Sequence, residues 1–157
     1  MRTAVLTIST RVSRGQADDT SGRRLAALAE EAGADVVAAD AVTDDADAIE
    51  QRLRAYVAAG MRLVLTTGGT GLTPDDVTPE ATRRVIERDV PGIAEAMRAE
   101  SRRHTPMGIL SRGVAGAAGT TLIVNFPGNP KAVDELFGVV GPVLRHATDV
   151  LDGRSRH

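Results

Sequence analysis

Residues 35–66 read DVVAADAVTDDADAIEQRLRAYVAAGMRLVLT, and this stretch decides the fold. Asp35-Val-Val-Ala-Ala-Asp40 is a short strand candidate, closed by the polar Thr43-Asp44-Asp45. Asp44 or Asp45 can cap the helix that follows, because a short carboxylate accepts from the free N–H groups of a first turn. That helix carries Ile49, Leu53, Tyr56 and Val57 on one face and stops at Gly60. Arg62-Leu-Val-Leu-Thr66 is then apolar without alternation, the pattern of a strand buried on both faces. A strand, a helix and a second strand in this order form a crossover that returns the chain in parallel, so helices must cover the sheet.

Outward from that unit the alternation continues. Thr3-Ala-Val-Leu-Thr-Ile-Ser9 is the first strand, and Ser21 caps a helix through about Ala32, with Leu25, Leu28 and Ala32 in phase and Gly33 as its stop. Thr78-Pro79 opens a helix expected to reach about Arg88, with proline where its missing N–H costs nothing. Pro91 opens another, with Ile93, Ala94 and Met97 inward, ending before Thr105-Pro106; the basic Arg102-Arg103-His104 suits its carboxyl end. The Gly- and Ala-rich stretch from Gly108 to Gly119 is expected to be a β-hairpin, and Thr120-Thr-Leu-Ile-Val-Asn125 is a strand. Asn129-Pro130 caps a last helix with Val133, Leu136, Phe137, Val140, Leu144 and Val150-Leu151 inward, expected to kink at Gly141-Pro142. The expected fold is a three-layer α/β/α sandwich with a mostly parallel sheet, a single domain over 1–157.

Composition narrows the chemistry. With 19 Lys and Arg against 21 Asp and Glu in 157 residues, the net charge of −2 argues against non-specific nucleic-acid binding. There is no Cys, so disulfides, thiolate nucleophiles and thiolate-bound zinc are excluded. No apolar run approaches the ~18–20 residues that span a bilayer. Met1–Thr10 reads as a strand and not as a leader, which gives a cytoplasmic expectation. Lys131 is the sole lysine and the three His stand at 104, 146 and 157, leaving carboxylates, hydroxyls, Arg and backbone amides as the working groups. Lys131 reads as a solvated surface side chain at the first turn of the last helix, and His146 as a packing or surface residue within it. No nucleophile elbow or Ser-x-x-Lys is present, which disfavours covalent hydrolysis.

In sheets of this kind ligands bind beyond the carboxyl ends of the strands. Four loops follow strands there, and the sharpest is Thr66-Thr-Gly-Gly-Thr-Gly71, three glycines in four residues. Glycines let backbone N–H groups converge on an anion, and the flanking Thr hydroxyls add donors. As plain structure the same loop is a flexible turn. Asp75 and Asp76 come after it, past Leu72-Thr73-Pro74, and acids beside an anion cradle make sense when Mg²⁺ bridges carboxylate and phosphate. Asn125-Phe-Pro-Gly-Asn-Pro130 is a rigid turn whose Gly128 permits close approach, and Ser111-Arg112-Gly113 offers a hydroxyl and a guanidinium fork for phosphate.

Taken together, Thr66-Thr-Gly-Gly-Thr-Gly71, Asp76-Val-Thr-Pro-Glu80, Pro91-Gly-Ile-Ala-Glu-Ala-Met97, Leu110-Ser-Arg-Gly113 and Asn125-Phe-Pro-Gly-Asn-Pro130 resemble the molybdenum cofactor biosynthesis proteins of the MogA/MoaB type. The resemblance covers essentially the whole chain. It implies a molybdopterin-binding-like α/β fold, a trimer or hexamer, and Mg-ATP-dependent adenylylation of molybdopterin with release of pyrophosphate. The product of such an enzyme passes to a separate molybdenum-insertase. It implies Asp44 and Asp76 as catalytic residues and Mg²⁺ ligands, with adjacent Asp45 leaving a one-residue ambiguity at the first. It further implies that Ser9, Thr67, Gly68, Gly69, Thr70 and Gly71 bind phosphate or nucleotide, that Ser111 contacts the ligand, and that Pro127, Gly128 and Asn129 line the pocket.

The chain departs from the family once: Thr10 stands where many members carry Asp after the first-strand Ser, removing a carboxylate from the pocket edge. MoaB-type relatives are not all active, so the alternative is a non-catalytic molybdopterin-binding protein. Retention of Asp44 and Asp76 favours the enzyme, and Thr10 favours the binder.

Overall fold

The central apolar run becomes β3 (Leu63–Thr67), all five residues of which are buried. A computed structural model describes residues 1–154. Before β3 come β1 (Arg2–Ile8), the short α1 (Thr10–Ser13), α2 (Thr20–Glu31), β2 (Asp35–Val42) and α3 (Ala46–Ala58). After it come α4 (Thr78–Arg83), β4 (Arg88–Asp89), α5 (Pro91–His104), a 3₁₀ turn (Pro106–Leu110), β5 (Ala115–Ala118), β6 (Thr121–Phe126) and α6 (Pro130–Leu151). The sheet order is β2-β1-β3-β6-β5-β4. β1 runs parallel to both β2 and β3, and β3 parallel to β6, while β5 and β4 close the far edge antiparallel.

Successive residues of a strand face opposite sides, and the core divides accordingly. Val5, Leu63, Leu65, Leu122, Val124 and Phe126 pack against α2, α5 and α6 through Leu25, Ala29, Met97, Val133, Leu136, Phe137 and Leu144. Ala4, Leu6, Ile8, Val64 and Ile123 pack against α3 and α4 through Ile49, Leu53, Tyr56 and Ala81. Phe126 and Phe137 stack with ring centroids 6.2 Å apart, the one such pair among the described residues. These two packed faces are the expected three layers.

Several local expectations shift. The helix opening at Thr78 stops at Arg83, not near Arg88, because Arg88 and Asp89 leave it to pair with Ala117 and Gly116. The hairpin expected within 108–119 lies later: 106–110 forms the 3₁₀ turn, and β5 pairs with β6 across Gly119 and Thr120. α6 continues through Pro142 without interruption.

Asp19, not Ser21, caps α2: its Oδ1 accepts from Gly22 N at 2.9 Å. The same carboxylate accepts from the Oγ1 of Thr7, which is buried at the end of β1, at 2.8 and 3.0 Å. Asp19→Ala therefore removes a cap and leaves a buried hydroxyl unpaired, together about 2–3 kcal/mol of stability by urea unfolding. Asp19→Asn, which keeps an acceptor, recovers most of it.

Candidate functional site

Parallel pairing brings the carboxyl ends of β1, β2, β3 and β6 to one edge of the sheet: Ile8 stands beside Val42, and Thr67 beside both Thr7 and Phe126. From β1 the sheet grows in one direction to β2 and in the other to β3, so the glycine loop leaves the sheet at the point where the strand order reverses. The turns after these strands therefore converge rather than scatter.

The glycines are demanded first by that convergence. Gly68 has φ +101°, and a Cβ there would lie 2.4 Å from the Ile8 carbonyl oxygen. A Cβ on Gly128 would stand 3.3 Å from Gly68 Cα, so the loops after β1, β3 and β6 touch through backbone. Gly69, at φ +68°, would place a Cβ 2.3 Å from Thr78 Oγ1. Hydrogen bonds lock the same junction: Gly68 N to Phe126 O at 3.0 Å, Thr67 Oγ1 to Pro127 O at 2.7 Å, and Thr78 Oγ1 to Gly68 O at 2.9 Å. The Thr67 hydroxyl thus binds protein.

Two cavities flank this junction and divide the expected ligand-binding residues between them. The larger, about 410 Å³, is lined by Thr70, Gly71, Ser111 and Pro127 and by the apolar Ala94, Met97 and Leu136. The smaller, about 290 Å³, is lined by Ser9, Thr67, Gly68, Gly69 and Gly128 together with Asp18 and Asp19. Apolar walls in the first suit a flat ring, while hydroxyls and backbone in the second suit a polar group. Asn129 lines neither and caps α6, its Oδ1 accepting from Lys131 N at 2.9 Å.

Asp44 and Asp76 line neither cavity directly. Asp44 Oδ2 accepts from Thr10 N at 2.8 Å and Thr10 Oγ1 at 2.9 Å, and Asp44 N returns a bond to that hydroxyl at 3.0 Å. Thr10 thus supplies a donor to Asp44 where a second acid would repel it. The exposed Asp45 caps α3 through Ala48 N, which gives the two neighbours separate roles. Asp76 Oδ2 accepts from Thr73 N at 2.9 Å and Thr73 Oγ1 at 2.7 Å, and a Cβ on Gly71 would lie 2.8 Å from it. Its carboxylate therefore lies against Gly71, which itself lines the larger cavity. Each acid is hydrogen-bonded within its own part of the edge, and among the described residues no three His, Asp or Glu gather into a metal cage.

Arg112 is not the open phosphate fork that its sequence context suggests. Nε donates to Gly71 O at 2.8 Å and Nη2 to Asp76 O at 2.6 Å, while Nη1 meets the Glu80 carboxylate. The guanidinium holds Glu80 below the ordinary carboxylate range. Arg98 gave no signal in the sequence: it reaches from α5 along the larger cavity and donates to Gly113 O at 2.9 Å. Lys131 is exposed at 3.9 Å from Glu135, His104 bonds Glu100 at the end of α5, and His146 is exposed on α6, all apart from the two cavities.

Residues 4–146 match the family model described as a probable molybdopterin binding domain. The chain is 37% identical to a molybdopterin adenylyltransferase of Helicobacter pylori over 152 residues, covering 95% of this chain and 86% of that protein. It is 43% identical over 149 residues to the molybdenum cofactor synthesis protein cinnamon of Drosophila melanogaster; the match covers 94% of this chain but spans only 25% of that longer protein. Among solved structures, the molybdopterin biosynthesis enzyme MoaB of Thermus thermophilus superposes with a TM-score of 0.90 at 44% identity, covering 97% of this chain and 96% of that one. No helix among the described residues is long and apolar enough to cross a membrane.

Proposed function

The chain belongs to the probable molybdopterin binding domain family of molybdenum cofactor biosynthesis, and on that premise we propose that it is a molybdopterin adenylyltransferase. The observation that carries the reading is the junction at Gly68 and Gly69: one loop at the switch point borders both cavities, so two ligands bound there meet across it. An oxygen of the molybdopterin phosphate attacks the α-phosphorus of ATP, the new P–O bond forms as the α–β anhydride breaks, and pyrophosphate leaves with the electron pair. The nucleophile is already ionised near neutral pH, so no protein base is required. What the protein must do is hold two anions in line and offset their charge.

The residues divide that task. Backbone along 67–71 and the Ser9 and Ser111 hydroxyls hold phosphate and nucleotide groups, and Pro127 and Gly128 close the wall between them. Asp76 and Asp44, each held in its own part of the edge, are hard oxygen donors of the kind that would hold Mg²⁺ together with substrate phosphates. Both acids are half-buried whereas neighbouring Asp45 and Asp75 are exposed, which favours Asp44 over Asp45 for this role. When bound, Mg²⁺ supplies neutralisation of the ATP phosphate oxygens.

A second reading is a molybdopterin-binding protein without transfer activity, and Thr10 favours it because it occupies Asp44 Oδ2 with two hydrogen bonds. Pyrophosphate release separates them. The enzyme forms pyrophosphate only when ATP, Mg²⁺ and molybdopterin are all present. Molybdopterin binding without pyrophosphate identifies the binder, and absence of binding contradicts both.

A further inference from the structure

The return of the glycine loop, residues 71–76, has no regular structure, and its tip from Leu72 to Asp75 is exposed. Within it only short-range bonds act: Thr73 N and Oγ1 donate to Asp76 Oδ2, and Asp76 N to Thr73 O at 3.0 Å. At an exposed tip such bonds persist only while the two ends of the turn, Gly71 and Asp76, stay together. Thr78 N ties the chain just past the turn to Gly69 O at 3.1 Å, and beside that backbone tie one side chain arriving from the loop before β5 joins the two ends. Arg112 donates Nε to Gly71 O and Nη2 to Asp76 O, bridging the two ends of the turn, and its own backbone N–H donates to Thr70 O at 2.9 Å. Glu80, on the first turn of α4, holds the guanidinium from its remaining side.

We propose that Arg112 is the positioning residue of this site, a clamp that fixes the distance between the Gly71 wall of the larger cavity and the Asp76 carboxylate. A guanidinium presents its donors in a rigid plane, so contacts to two carbonyls and a carboxylate define a single orientation. A lysine ammonium satisfies one or two of these partners but cannot hold all three in one plane. The inference rests on the adenylyltransferase reading for its functional consequence and on the free protein for its structural one.

The test compares wild type, Arg112→Lys, Arg112→Ala and Glu80→Gln. In the free protein, amide exchange at Thr73 and Asp76 rises by about tenfold or more in Arg112→Lys while β1, β3 and β6 stay protected. In the transfer assay, the Mg²⁺ concentration for half-maximal rate and the KM for ATP rise by about tenfold or more, with a smaller change in kcat, as for loss of a group that orients a metal ligand. Glu80→Gln, which leaves both carbonyl bonds in place, shifts these values less than Arg112→Lys does. A residue that served stability alone would lower the melting temperature and leave exchange in the turn, Mg²⁺ response and KM within about twofold of wild type; that result in Arg112→Lys overturns the clamp. Should Arg112→Ala fail to fold, Arg112→Lys decides. If wild type forms no adenylyl product, raised exchange in Arg112→Lys still supports the clamp while the reading of the reaction falls. Unchanged exchange beside an active wild type removes the clamp and leaves that reading standing.

Discussion

Asp76→Ala lowers the rate of AMP transfer by about a thousandfold while leaving molybdopterin affinity within a few-fold of wild type. The magnitude is that of removing a preorganised electrostatic partner from a phosphoryl-transfer site. The carboxylate lies against Gly71, beside the cavity wall and not in it, so its removal opens no hole where the pterin ring would rest. Alanine also deprives Thr73 of its acceptor and loosens the turn. Asp76→Asn separates the two effects: the amide oxygen still accepts from Thr73, but the charge is gone. Loss of transfer in both variants assigns the role to charge. Activity retained in Asn and lost in Ala assigns it to the shape of the turn, and equal loss of pterin binding and transfer makes Asp76 a support for the pocket. Parallel titrations of pterin binding and initial-rate measurements of transfer decide between these.

Gly68→Ala destabilises the whole fold by about 2–5 kcal/mol, adding the cost of a left-handed backbone at a residue with Cβ to that of overpacking. The new methyl would meet the Ile8 carbonyl oxygen at 2.4 Å, and that oxygen belongs to a strand buried between two neighbours and cannot yield. For a chain of this length the loss corresponds to roughly 5–15 °C in melting temperature. Gly128→Ala, whose Cβ would stand 3.3 Å from Gly68 Cα with no positive φ, is the milder control. Equal melting temperatures for the two variants would mean that the junction at Gly68 is not the tight point described here.

The layers were legible because their signal is local. β1 beyond Arg2, β3, and β6 apart from Asn125 are β-branched or apolar runs, and the helices keep Leu25, Ile49, Leu53, Val133 and Leu144 in phase. Legibility ended where a distant partner decides. Val85 and Ile86 continue the apolar phase of α4 past Arg83, yet pairing of Arg88 and Asp89 with β5 draws the chain out of the helix. Asp19 and Ser21 are both acceptable caps, and the buried Thr7 hydroxyl selects Asp19. At the site, the tight turn after β3 could be read from residue type, because Gly68 and Gly69 take the positive φ that favours glycine. The division of the expected ligand-binding residues between two cavities could not, since it depends on which side of the Gly68 junction each loop passes. Arg112 read as a phosphate fork because its neighbours Ser111 and Gly113 allow one; Glu80, far away in sequence, and the carbonyls of Gly71 and Asp76 take the guanidinium instead.

On the proposed reading, loops converging at the reversal of strand order bring two anionic ligands together for transfer. Incubation of the protein with molybdopterin and Mg-ATP, followed by mass analysis of the pterin, tests it most directly. A molybdopterin species heavier by one AMP moiety, formed together with pyrophosphate and missing when Mg²⁺ is withheld, is the expected result. Recovery of unmodified molybdopterin alone, from protein shown to have bound both it and ATP, would rule out transfer at this junction.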